Sequence, residues 1–129
     1  MPRAGARGMI KTVALLKRRQ SLSTEEFRAY YESTHRLIGE KYLGGYAVKY
    51  MRRYLNPASD AAAATFGPEG DFDVILEIWY PDRETYEAVA ERLQAPEAAA
   101  EILADELKLF DRAKNRFFSL TEAESDLPS

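Results

Sequence analysis

Residues 22–42, LSTEEFRAYYESTHRLIGEKY, constrain this chain more than any other stretch: they specify one long amphipathic helix carrying its only histidine. Ser23 is a good N-cap, because its hydroxyl can accept a backbone N–H left unpaired at a helix start. Glu26, three residues on, completes a capping box. On a wheel at about 100° per residue, Leu37, Tyr30, Thr34, Phe27, Ile38, Tyr31 and Tyr42 fill one arc, which only Lys41 interrupts. Glu25, Glu26, Arg28, Glu32, Arg36 and Glu40 fill the other. His35 falls at the border between the two. A titratable group in that position either ends in solvent or overhangs a cavity.

At 129 residues the chain suits one domain. We expect a short disordered leader over residues 1–8, a single domain over 9–121 and a frayed acidic tail over 122–129. With 46% hydrophobic and 30% charged residues, the composition is that of an ordinary globular protein. The 18 basic and 21 acidic residues are well mixed, whereas a nucleic-acid binder concentrates Lys and Arg on one face. Without cysteine, disulfides, thiolate nucleophiles and Cys-based metal sites are excluded. One histidine with no HxxxH or HxH spacing argues against a metal site. No apolar run reaches the roughly 20 residues of a membrane span, and no hydrophobic signal core follows the basic start, so a cytoplasmic location is expected by default.

Met9 to Arg18, rich in β-branched and aliphatic residues, reads as the first strand, and Leu43-Gly44-Gly45 as the stop of the long helix. Tyr46 to Asn56 alternates Val48, Tyr50, Arg52 and Tyr54 with Lys49, Met51, Arg53 and Leu55, a second strand in which one arginine points inward. Pro57 to Asp71, dense in Ala, Gly and Pro, reads as a surface loop. Phe72 to Tyr80 is the strongest strand signal: Phe72, Val74, Leu76, Ile78 and Tyr80 form a core face, and Asp73, Ile75, Glu77 and Trp79 a mixed one. Asp82 caps a second helix, Arg83 to Gln94, and Pro96 breaks it. A third helix, Glu97 to Arg112, is expected to bury Ile102, Leu103, Leu107 and Phe110, and Lys114 to Thr121 is the fourth strand. The order is that of an α+β, ferredoxin-like βαββαβ fold with a four-stranded antiparallel sheet. Both helical layers then cover one sheet face. The other is left bare, which invites a two-fold copy of the chain and predicts a homodimer through that face.

Several of these residues also form a known pattern. The first strand ends in Lys17-Arg18, the helix starts Leu22-Ser23-x-x-Glu26-Phe27, and Tyr30-Tyr31 and Thr34-His35 follow. Tyr50-x-Arg52-Arg53-Tyr54, Asp73-x-x-x-Glu77-x-Trp79-Tyr80 and the DELKLFDR segment from Asp105 to Arg112 come later. In order and spacing the chain resembles the EthD-like domain family, of the dimeric α+β barrel superfamily, over about residues 9–121; the Pro57–Gly70 segment departs from it. The resemblance implies a homodimer with a barrel-like core and a cleft between the long helix and the sheet. Members are linked to ether degradation and to polyketide dehydration and cyclisation without an obligatory cofactor; wider relatives are cofactor-free monooxygenases or haem-degrading enzymes.

His35 is the leading catalytic candidate, since an imidazole with an unperturbed pKa of roughly 6.5 can act as base or acid near neutrality. Tyr31, one turn earlier on the same side, is its candidate partner. Tyr30, Tyr46, Tyr50 and Trp79 are candidates to line a pocket for a small hydrophobic or aromatic ligand, and Arg53 or Arg52 to hold a carboxylate or enolate. The competing readings are a half-buried histidine bonded to a backbone carbonyl, aromatics that are core and interface, and arginines paired with Glu77 or Asp73. The basic run at 17–19 reads as solvated. Three functions fit: a cofactor-independent lyase or cyclase of dehydratase type acting on a small aromatic or polyketide-like carbonyl compound; a non-catalytic ligand-binding homodimer; or a monooxygenase or haem-handling relative.

Overall fold

Strands form where the alternating runs predict them, and their register decides which residues face the helices. The structure, a computed structural model, describes residues 8–56 and 70–129. Its elements are β1 (Ile10–Leu16), α1 (Thr24–Tyr30), a π-helical turn (Tyr31–His35), α2 (Arg36–Leu43), β2 (Lys49–Tyr54), β3 (Val74–Tyr80), α3 (Arg83–Gln94), α4 (Pro96–Leu109), a 3₁₀ turn (Arg112–Lys114) and β4 (Arg116–Ser119). Nearly all of the expected leader and most of the expected 57–71 loop lie outside the described residues.

The sheet order is β2-β3-β1-β4 and every neighbouring pair is antiparallel. This is the split βαβ arrangement of a ferredoxin-like fold. Ala14, Leu16 and Val74 on the sheet pack with Phe27 and Tyr31 of the long helix and with Leu109 and Phe110 at the end of α4. A second cluster joins Leu43, Tyr80 and Val89. Both helical layers therefore cover the face carrying the even-numbered residues of β1 and β3. Phe27, Tyr31, Val74 and Leu109 are fully buried, and each such side chain contributes on the order of 2 kcal/mol by leaving water.

The capping box forms as predicted: the Ser23 hydroxyl accepts from the Glu26 amide at 3.0 Å, and Glu26 Oε1 accepts from the Ser23 amide at 2.9 Å. Gly45 takes φ +84° beyond the helix end, a conformation that favours glycine. The long helix departs from the simple wheel, however. At the π turn the Arg36 amide donates to the Tyr31 carbonyl, five residues back. Such a turn accommodates one extra residue, so everything after His35 lags by about 100°. Leu37, predicted at one end of the apolar arc, is consequently exposed, while Leu43 is buried. Lys41 swings out of the arc and bonds Glu101 at 3.0 Å.

In α4 the predicted buried stripe is also corrected. Leu103 and Leu107 are exposed; Ala98, Asp105 and Leu109 are buried. Of the basic run only Arg19 is exposed as expected. Lys17 and Arg18 lie against Asp73 at 3.4 and 3.5 Å, and Asp73 accepts the Arg18 amide at 2.8 Å.

Candidate active site

The π turn and α4 meet at one carboxylate. Asp105 occupies a core-facing position on α4, in step with Ala98 and Leu109, and is only 6% exposed. Its Oδ2 lies 2.7 Å from His35 Nδ1, and its Oδ1 accepts the Tyr30 hydroxyl at 2.5 Å. Tyr30 and His35 lie at the two edges of the π turn, and its wider winding presents both to the same acid. The imidazole is packed edge-on between Tyr31 and Phe110, with ring centroids 5.1 and 5.4 Å away. A carboxylate only accepts, so the contact places the Nδ1 proton toward Asp105 and leaves the Nε2 lone pair free in the neutral ring. Nε2 has no hydrogen-bond partner among the described residues. The hydrogen bond to Asp105, helped by burial, pushes the Tyr30 phenol up to about 12, so it stays a donor.

A second cluster holds the turn from the sheet side. Glu32 receives Arg52 through both oxygens, at 2.7 and 2.9 Å, and the Tyr54 hydroxyl at 2.6 Å. The Arg52 guanidinium is the main cause holding the Glu32 carboxyl down at about 2, against the opposing effect of burial. Arg52 is thus the inward-pointing arginine.

Of the seven predicted site residues, His35, Tyr30 and Tyr31 come together. Tyr31 is fully buried among Phe27, Tyr54 and Phe110. It walls the imidazole instead of presenting a hydroxyl to solvent, and burial pushes its phenol well up. The Tyr50 hydroxyl neighbours that of Tyr31 without the geometry of a full hydrogen bond. Tyr46 is separate and partly exposed, 5.5 Å from the Arg92 guanidinium. Arg53 and Trp79 point the other way, to the uncovered sheet face. There Arg53 bonds Glu77 at 2.9 Å, as the competing reading predicted, while Asp73 is taken by Lys17 and Arg18. Trp79 sits between Lys11 and Lys49, its register partners on either side, at 3.9 and 4.0 Å. Sequence reasoning missed Asp105 and Glu32 as partners. The signal for Asp105 was an acid at 105 completing a 98-102-105-109 helical stripe.

The EthD domain model matches residues 19–113, about three-quarters of the chain. The chain belongs to the EthD family. The matched span holds the capped helix, the π turn, His35 and Asp105, whereas β1 and β4 lie outside it. Solved structures share the fold. An ethyl tert-butyl ether d (ethd) family protein from Bacillus halodurans is 19% identical, with a TM-score of 0.61, covering 89% of this chain and 99% of that one. A dimeric protein of unknown function and ferredoxin-like fold from Bacteroides fragilis is 15% identical with a TM-score of 0.55, covering 88% and 96%. The hydroxynitrile lyase from Passiflora edulis is 10% identical with a TM-score of 0.53, covering 93% and 98%. Among curated proteins, none matches the chain. No helix of this EthD protein is long and apolar enough to cross a membrane among the described residues.

Proposed function

We propose that this EthD protein is a cofactor-independent lyase or cyclase of dehydratase type, with His35 as its general acid/base, acting on a small aromatic or polyketide-like carbonyl compound. The observation that carries the reading is the 2.7 Å contact between His35 Nδ1 and the buried Asp105 carboxylate. Asp105 keeps the ring in the tautomer whose Nε2 is basic and stabilises the imidazolium once it forms. Nε2 takes a proton from the carbon beside the substrate carbonyl, leaving the C–H electron pair as an enolate. The imidazolium returns that proton to a β-hydroxyl, which departs as water as the enolate pair closes the new C=C bond. Proton transfer is the whole of the chemistry, so no step calls for a cofactor. Tyr30 holds the second oxygen of Asp105, and Tyr31 and Phe110 fix the ring plane. That a hydroxynitrile lyase uses the same fold supports the reaction class without naming the substrate.

The protein acts as a homodimer through the bare sheet face, where Val13, Ile75, Trp79 and Phe118 alternate with charged residues and a fold neighbour is described as dimeric. Incubation of the protein in deuterated water with aryl β-hydroxyketones tests the chemistry, because exchange of the α-proton is read by NMR. His35→Ala is expected to abolish exchange and dehydration with the fold intact. Asp105→Asn should lower them by about 10²–10³, and shift the ¹⁵N signals of the sole imidazole toward a mixture of tautomers. Full exchange in His35→Ala would remove the histidine from the mechanism.

A further inference from the structure

The outer face of α4 is built from residues of core type. Leu103 and Leu107, which the sequence assigns to the interior, are 40% and 54% exposed. Ala100 and Ala104 are exposed beside them. With Ala98, Asp105 and Leu109 marking the inward line, these four fall within about 60° of the direction pointing straight out of the core. A helix that is apolar on its outer side as well as its inner one is normally buried on both. Leu37, also exposed, adds to the patch from α2. It lies one turn before Lys41, on the side from which Lys41 reaches Glu101 of α4.

We propose that this stripe is a contact between two copies of the chain, in which α4 packs antiparallel on α4 of the second copy about a two-fold axis. The helices cover the opposite side of the sheet from its bare face, so this contact and a sheet-face dimer can form together. The stripe is complementary to itself. With the axis between Leu103 and Ala104, Leu103 faces Ala104 of the second copy and Leu107 faces its Ala100. Each large side chain then meets a small one, which lets the two helices approach closely. The flanking charges select the antiparallel direction. Glu97 and Lys108 are exposed on the same flank of the stripe, and in an antiparallel pair like flanks meet. Glu97 comes within about two residues, roughly 3 Å along the axis, of Lys108 of the second copy, and the two-fold makes that pair twice. In a parallel pair each charge would face its like, which is destabilising. Glu101 and Glu106 are already engaged by Lys41 and Arg112. A lipid surface fits less well, because helices that lie on membranes carry Lys and Arg along their polar face. Here Glu97, Glu101, Asp105 and Glu106 stand against Lys108 alone. The stripe runs only about 10 Å along the helix, so the contact is a weak one.

Sedimentation of the Phe118→Asp chain, which takes the bare sheet face out of the measurement, tests the contact between about 10 µM and 1 mM. That chain is expected to pass reversibly from monomer to dimer over this range. Leu107→Ser should weaken the association at least about tenfold. Glu97→Lys and Lys108→Glu should each weaken it too, since each sets like charges together twice, and the double variant Glu97→Lys/Lys108→Glu should restore it. All should melt as the parent does, because these positions are exposed. The chain has no cysteine of its own, so a mixture of Glu97→Cys and Lys108→Cys chains should be joined by a short bismaleimide while neither variant is joined alone. The proposal is overturned by a Phe118→Asp chain that stays monomeric throughout, by unchanged association in Leu107→Ser, or by a double charge swap as weak as the single ones. It is equally overturned if either cysteine variant cross-links alone as well as the mixture does. A monomeric chain that floats with neutral lipid vesicles would make a membrane the occupant and overturns it as well.

Discussion

Asp105 shows how one acid can organise a site: it holds a phenol and an imidazole from the same helical turn while almost wholly withdrawn from water. Its neighbour in function, Glu32, is held by charge. Glu32 titrates near 2 in the fold, below the roughly 4.3 of an unfolded glutamate, so its pairing stabilises fully above about pH 4.5 and fades as pH falls toward 2. Because the Glu32 side chain is 43% exposed, screening reduces the contribution to about 1 kcal/mol. Glu32→Gln should therefore unfold at lower denaturant than the parent at pH 7, and the two curves should converge as pH approaches 2. A gap unchanged between those pH values would show that packing, and not the ion pair, sets the cost. Neither acid's partner was legible beforehand. The residues were visible; which elements lie against them depends on contacts 20 and 70 positions away along the chain.

The long helix is where local reading and structure part most clearly. Its start was legible, because a capping box is made within four residues. Its second half was not, because the π turn resets the wheel and that turn is stabilised by Asp105 and Arg52 from outside the helix. The reset brings Gly39 onto the sheet-facing line. A Cβ built there would overlap the Tyr50 hydroxyl and ring. Gly39→Ala gains about 1 kcal/mol in helix propensity and loses about 1–3 kcal/mol to overpacking. We expect a net fall in stability of up to about 2 kcal/mol, part of it recovered in Gly39→Ala/Tyr50→Phe, where the hydroxyl is gone. Calorimetric melting of the two variants decides it. A stabilised Gly39→Ala would mean that Tyr50 yields freely.

For the molecule as a whole, the bare sheet face is the surface on which the homodimer proposal rests. Its residues alternate by register with the core residues, so the same strands that build the interior present Phe118, 51% exposed, on the outside. If the protein pairs through this face, Phe118→Asp should shift sedimentation from dimer to monomer without loss of the fold, since β4 is an edge strand. A parent chain that sediments as a monomer at micromolar concentration sinks the dimer proposal.

The sequence by itself determined the element order, the capped start of the long helix, the strand faces and the family, because these rest on periodicity and on contacts between near neighbours. Only the tertiary structure decided that the histidine faces an aspartate, that Arg52 and not Arg53 is the arginine that turns inward, and that Leu37 is exposed. For Leu37 the physical reason is one extra residue in a helical turn. It rotates everything beyond it by about 100°, and what makes that rotation favourable is packing and hydrogen bonding from elements distant in the chain.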